Sequence, residues 1–161
     1  MQRVWVGLGG NVGDVPAAIR SALAALSAAP GVTLAGCSRL YSSPPWGLAD
    51  QPAFINAVAE LTSALEPLAL LDLLHAVELA HGRRREVETR WGPRTLDLDL
   101  LAIDDAVLDH PRLSLPHPRI AERAFVLVPW AELAPTFEIP RAGRVGELCA
   151  ALDCSGIEAI P

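Results

Sequence analysis

The chain has 161 residues, long enough for one domain with a substantial core, and its 51% apolar and 20% charged residues are the balance of a soluble globular protein. A net charge of −6 argues against bulk nucleic-acid binding, which needs many cationic phosphate contacts, yet leaves room for a small anion in a local arginine pocket. All 13 basic residues are arginine, so a P-loop lysine and a Schiff-base lysine are excluded.

Cys37, Cys149 and Cys154 are odd in number and match no metal-ligand spacing, which predicts free thiols in a reducing compartment. The chain runs from its first residues into a strand-like pattern, and no apolar segment has membrane length. A cytoplasmic protein is expected.

In chain order, Val4 to Gly9 reads as a buried strand. Asp14 is placed to cap a helix from about Val15 to Ala29, with Pro16 in its first turn, apolar Ile19, Leu23 and Leu26 on one stripe, and Pro30-Gly31 as the stop. Gly9-Gly10-Asn11-Val12-Gly13-Asp14 lacks the order of a dinucleotide loop, and a plain turn is the stronger reading. A second strand is predicted from Val32 to Tyr41, then a proline-bound loop through Ser43-Pro44-Pro45-Trp46-Gly47. In that loop Trp46 is either a hydrophobic plug or a lid over a planar ligand. Phe54 to Leu61 reads as a third strand that puts Phe54 and Asn56 on one face. An aromatic ring two residues from an amide suits a flat, hydrogen-bonding heterocycle, and suits equally a core Phe beside a turn Asn.

After Glu66-Pro67 a helix is expected to about His81, with Leu70, Leu71, Leu74 and Val77 as its apolar face and Gly82 ending it; His75 and His81 read as structural. Arg83 to Arg90 is a charged loop, a solvated surface on its own but a candidate phosphate site beside the acids of the next strand. From Thr95 to Leu100 the chain alternates strictly, sending Leu96, Leu98 and Leu100 to one face of a strand and Asp97 and Asp99 to the other. Two carboxylates so placed repel each other and call for a cation between them, of which Mg²⁺ is the natural candidate. Acids for metal beside Arg83, Arg84, Arg85, Arg90 and Arg94 suggest nucleotide chemistry. Asp104-Asp105 marks a turn. His117, between Pro116 and Pro118, is held on a stiff loop from which it is able to donate to phosphate, although a lone loop histidine is more often incidental. A helix is predicted from Glu122 through Trp130 to Leu133, and the tail adds a short strand and a helix near 145–152.

These residues assembled, the sequence resembles the 6-hydroxymethyl-7,8-dihydropterin pyrophosphokinases of the folate pathway. The likeness runs through Gly9-Gly10-Asn11, Ser43-Pro44-Pro45-Trp46-Gly47, Gln51-Pro52-Ala53-Phe54-Ile55-Asn56, Arg90-Trp91-Gly92-Pro93-Arg94-Thr95-Leu96-Asp97-Leu98-Asp99 and Pro116-His117-Pro118-Arg119. The resemblance implies a single α+β domain over 1–161, with a ferredoxin-like core and a mostly antiparallel central sheet with helices packed on both faces. It implies ATP as co-substrate and two Mg²⁺ ions supporting transfer of a pyrophosphoryl group to the pterin hydroxymethyl oxygen, releasing AMP. It further implies that Asp97 and Asp99 hold the ions and that Arg83, Arg94 and His117 contact ATP phosphates. By the same likeness, Phe54 and Phe125 sandwich the pterin, Asn56 reads its edge, and the backbone from Ser43 through Pro45 to Trp46 completes the pocket. Glu78, Arg112 and Arg123 resemble further site positions, and Trp91 belongs to a loop that closes over the reactants; Asp97 touches both ligands. Phe54 stands where some members carry Tyr, so a hydroxyl contact is lost there. The expected partners are the two small molecules alone, with no nucleic acid, no membrane and a monomeric chain. Two other readings fit the residues: a different metal enzyme with an Asp-x-Asp strand, or a non-catalytic ferredoxin-like binding module.

Overall fold

A computed structural model describes residues 1–44, 51–82 and 95–160. The elements are β1 (Gln2–Gly10), α1 (Val15–Ala28), β2 (Val32–Cys37), β3 (Tyr41–Ser43), β4 (Phe54–Ser63), α2 (Pro67–Ala80) and β5 (Asp97–Ile103). They continue as β6 (Leu108–His110), β7 (Leu113–Leu115), a 3-10 turn (Ile120–Glu122), α3 (Ala124–Leu133), β8 (Glu138–Ile139), β9 (Gly143–Arg144), α4 (Val145–Ala150) and β10 (Glu158–Ala159). One antiparallel sheet runs β10-β3-β4-β1-β5, with β2 also paired to β4, and β6-β7 and β8-β9 form two small hairpins.

The alternation of β1 divides the molecule. Val4, Val6 and Leu8 face one side, where Ile19, Ala22 and Leu26 of α1, Leu70 and Leu74 of α2, and Leu98 and Leu100 of β5 form a dry core. Trp5 faces the other side and packs with Val58, Val126, Leu127 and Trp130 of α3, and Val145 of α4. The Trp5 and Trp130 rings lie 5.7 Å apart and Trp5 and Phe137 lie 5.2 Å apart, so aromatic packing seats α3 and the tail on this face. Helices therefore cover both faces, and the fold is the ferredoxin-like α+β architecture.

Local chemistry explains most boundaries. The Asp14 carboxylate accepts the Ala17 N–H at 3.1 Å, capping α1. The predicted strand from Val32 to Tyr41 is instead two strands, broken at Ser38. Its hydroxyl donates to the Arg39 carbonyl at 2.8 Å and accepts the Val58 N–H at 3.0 Å, standing in for a ladder bond where the backbone leaves β4. The helix expected from Glu122 begins at Ala124, because Ile120–Glu122 winds as a tighter 3-10 turn first. On β5, Val6 pairs with Leu100 but Trp5 with Ala102, so Leu101 is an extra residue in the ladder. Leu101 already faces α3 by alternation from Asp97 and Asp99; the bulge keeps Ala102 on that face as well and so returns Ile103 to the α1–α2 face.

Candidate active site

The two acids sit at the start of β5, each opposite a glycine of β1: Asp97 pairs with Gly9 and Asp99 with Gly7. Gly9 also pairs with Asn56 of β4, and Asn56 with Tyr41 of β3, so Tyr41, Asn56, Gly9 and Asp97 form one row across four strands. Directly opposed residues of an antiparallel pair share a face. Asn56, Asp97 and Asp99 therefore stand on the face that α3 covers, and so does Phe54, two residues before Asn56 and opposite Ser43. An ideal Cβ on Gly9 would lie 2.2 Å from the Asn56 Oδ1, so the amide occupies the volume the glycine leaves vacant.

α3 contributes from above. Arg123 at its N-terminal cap brings a guanidinium nitrogen to 3.8 Å from an Asp99 oxygen, with both side chains partly shielded, and the same guanidinium lies 5.8 Å from the Phe125 ring centre. His117 is tied in from the outer side, its backbone N–H donating to the Leu101 carbonyl of β5 at 2.9 Å. Burial and the Arg123 charge push the His117 imidazole down to about 4, outweighing the upward pull of Asp97. At neutral pH it is thus an uncharged ring. The Arg119 N–H faces its Nδ1 at a long 3.5 Å, which favours the tautomer with the proton on Nε2.

The outer edge of β5 is held by α2. Glu78 is 1% exposed, and its carboxyl oxygen accepts the Leu98 N–H at 2.7 Å. Leu98 is the residue between the two acids, so this bond fixes the backbone from which both carboxylates project. Leu70, Leu74 and Glu78 recur at intervals of four on the buried stripe of α2, and an acid on that stripe is the sequence signal for such a role.

Other predicted residues fall in different places. Arg112, at the β6–β7 turn, is ion-paired with Asp72 of α2 on the surface. Ser43 is buried, and its hydroxyl has no hydrogen-bond partner among the described residues; the same holds for the Thr95 hydroxyl two residues before Asp97. Pro45, Trp46, Arg83, Arg84, Arg85, Arg90, Trp91 and Arg94, together with the expected loop closure, lie outside the described residues. The turn read at Gly9-Gly10-Asn11 begins later than expected, because Gly9 and Gly10 are still strand residues of β1 paired with Asn56 and Ile55; the buried Asn11 amide donates to Gln51 Oε1 at 2.9 Å and the Pro52 carbonyl at 3.0 Å, fastening that segment to the end of β1. His81 caps α2 with a ring nitrogen 2.8 Å from the Val77 carbonyl. The three cysteines are thiols; Cys149 and Cys154 lie 3.9 Å apart, and burial with the neighbouring thiol raises Cys149 to about 11. An open depression of about 400 Å³ lined by Arg3, Asp104, Asp105 and Phe137 lies at the opposite end of β1 and β5 from the acids.

Asp97 and Asp99 fit the donor set of a hard cation. They are oxygen ligands on one strand face, and among the described residues no cluster of three or more protein ligands forms a closed metal cage. That is how Mg²⁺ is commonly bound, by one or two carboxylates with substrate phosphates completing the shell.

Fold and site together define a ferredoxin-like α+β domain with an acid pair, an arginine and a neutral histidine gathered at one end of the sheet. Residues 5–135 match the 7,8-dihydro-6-hydroxymethylpterin-pyrophosphokinase (HPPK) family, and the chain belongs to it. The chain is 48% identical to the 2-amino-4-hydroxy-6-hydroxymethyldihydropteridine pyrophosphokinase of Pseudomonas aeruginosa, covering 100% of this chain and 98% of that protein. The enzyme of the same name from Methylorubrum extorquens is 45% identical over 99% of each chain. In fold the chain is similar to Plasmodium falciparum HPPK-DHPS crystallised with SDX-DHP, at a TM-score of 0.70 and 12% identity, covering 99% of this chain and 47% of that one.

Proposed function

We propose that this protein transfers the pyrophosphoryl group of ATP to the hydroxymethyl oxygen of 6-hydroxymethyl-7,8-dihydropterin, giving the pterin diphosphate and AMP, for tetrahydrofolate synthesis. Membership of the family supports the reaction. The observation that supports it in this chain is the row Asn56–Gly9–Asp97, which brings an amide and a carboxylate onto one sheet face on either side of a glycine.

The Cα atoms of Asn56 and Asp97 are two strand spacings apart, roughly 9 to 10 Å, a width that a bicyclic heterocycle lying over Gly9 fills. Asn56 pairs the edge of that ring, Phe54 and Phe125 cover its faces, and Ser43, Pro45, Trp46 and Trp91 enclose it. Arg123, beside Asp99, is the described arginine assigned to the triphosphate, with Arg83 and Arg94 assigned the same role by the family likeness; Arg112 would have to exchange Asp72 for phosphate to join them. His117, being neutral, donates from Nε2 to a phosphate oxygen without bringing a charge that would compete with the arginines. Asp97 and Asp99 would hold two Mg²⁺ ions, which when bound neutralise phosphate oxygens and orient the chain for in-line transfer. The protein's own share is positioning and exclusion of water, because phosphoryl transfer needs little covalent help. We read residues 1–161 as a single domain working as a cytoplasmic monomer. Among the described residues no helix is long and apolar enough to cross a membrane.

The test is AMP formation from ATP in Mg²⁺, with and without the hydroxymethyldihydropterin. Release of AMP only when both substrates are present is expected. ATP turnover without dependence on the pterin would point to a different metal enzyme, and no turnover in Mg²⁺ to a binding module.

A further inference from the structure

β1 carries two glycines on the site face, Gly7 and Gly9, and the strand needs neither for its backbone conformation. They differ in what a side chain would meet. The nearest described atoms to a Cβ on Gly7 belong to the Leu101 side chain, at 3.5 to 3.8 Å, an ordinary contact. A Cβ on Gly9 would stand 2.2 Å from Asn56 Oδ1, 3.1 Å from Asn56 Cγ and 3.1 Å from the Ile55 carbonyl oxygen. The first of these distances lies far inside van der Waals contact, and exchanging the amide oxygen and nitrogen of Asn56 leaves the obstruction in place. In the row that joins β4, β1 and β5, Gly9 is the member between Asn56 and Asp97. Only a residue without a side chain there leaves room for the Asn56 amide where it lies, over Gly9.

We propose that Gly9 is a positioning residue for the heterocycle: its missing side chain sets the orientation of the Asn56 amide over the sheet, and through it the affinity for the pterin. The proposal rests on the reading of Asn56 as the group that pairs the pterin edge. Gly9→Ala forces the amide into another rotamer. The obstructing atom is the end of a side chain with two rotatable bonds, and the Ile55 carbonyl has to give by only a few tenths of an ångström, so the cost falls on binding more than on folding.

Three proteins and one double variant test this, with 6-hydroxymethyl-7,8-dihydropterin as probe in Mg²⁺ and a non-hydrolysable ATP analogue. Gly9→Ala weakens pterin binding roughly tenfold or more, the loss expected when a site's polar partner is misplaced, and leaves affinity for the ATP analogue unchanged. Gly7→Ala, which carries the same glycine-to-alanine backbone change, keeps parental pterin affinity. In an Asn56→Ala background, Gly9→Ala has no further effect, because the two act through one group. In ligand-free ¹⁵N-labelled protein the Asn56 side-chain amide signals shift in Gly9→Ala and stay in place in Gly7→Ala. Parental pterin affinity in Gly9→Ala while Asn56→Ala loses it, or unmoved Asn56 amide signals, overturns the proposal. Parental affinity in Asn56→Ala itself strikes the reading of Asn56 and takes the proposal with it. Should Gly9→Ala fail to fold, Gly9→Ala/Asn56→Ala folds, the obstructing amide being gone; failure of both locates the conflict at the Ile55 carbonyl and overturns the proposal.

Discussion

Glu78→Ala is the sharpest perturbation of the acid strand, since it touches neither carboxylate directly. In the parent the Glu78 carboxyl accepts the Leu98 N–H at 2.7 Å, and the residue is 1% exposed, so water cannot readily replace it. Leaving a buried donor unsatisfied costs about 1 to 3 kcal/mol, and for a chain of this length each kilocalorie lowers Tm by roughly 2 to 4 °C. Glu78→Gln keeps a carbonyl acceptor of similar reach and is expected to recover most of that loss. Among the described residues β5 is the last strand of the sheet, so with the bond gone its outer backbone has one fewer restraint and the acids sample more positions. The Mg²⁺ needed for half-maximal turnover should then rise on the order of tenfold, the usual scale for removing a group that orients a ligating residue. Urea unfolding with an unchanged m-value and a Mg²⁺ titration of AMP release read the two effects separately. The reasoning fails if Glu78→Ala matches the parent in both, or if Glu78→Gln is as destabilised as Glu78→Ala, since acceptor geometry would then not be what matters.

Asp97→Ala should abolish pyrophosphoryl transfer while keeping a cooperative fold, because removing one of two like charges on a strand face relieves repulsion; near-parental turnover in Mg²⁺ refutes the metal assignment. The His117 imidazole, lowered to about 4 from 6.5, stays neutral in the fold while the unfolded chain takes up a proton, so its contribution to stability is fully present above pH 6.5 and is lost as pH falls from there toward 4. NMR titration of its ring protons should show no charging between pH 8 and about 5, and a midpoint near 6.5 contradicts the burial argument. Arg83→Ala should slow the chemical step more than it weakens ATP binding, as expected of a contact strongest in the transition state; a single-turnover rate equal to the parent's at saturating ATP reduces that arginine to a binding contact.

Much of this site is legible in the sequence because β geometry is local. Strict alternation from Leu96 to Leu100 is enough to send two acids to one face and three leucines to the other, whatever the strand packs against, and the structure buries Leu96, Leu98 and Leu100 while leaving Asp97 and Asp99 partly exposed. Asp14 capping and the proline and glycine stops of the first helix are equally local, each a matter of one turn of backbone. What the sequence does not contain is register. Asn56 meets Gly9, and Gly9 meets Asp97, across 47 and 88 residues of chain, and a slip of one residue in either pairing would turn the amide or the acid to the opposite face. The break at Ser38 and the bulge at Leu101 depend on what the neighbouring strand offers as a partner, which no window of residues around them specifies. Arg112 is bound by Asp72 only because the β6–β7 hairpin lies beside α2. Glu78 shows both sides: its place on an apolar stripe is written in the helical period, but that its partner is the Leu98 amide between the two acids is decided by tertiary packing, where that N–H, with no further strand beside β5 among the described residues, needs an acceptor and α2 supplies it.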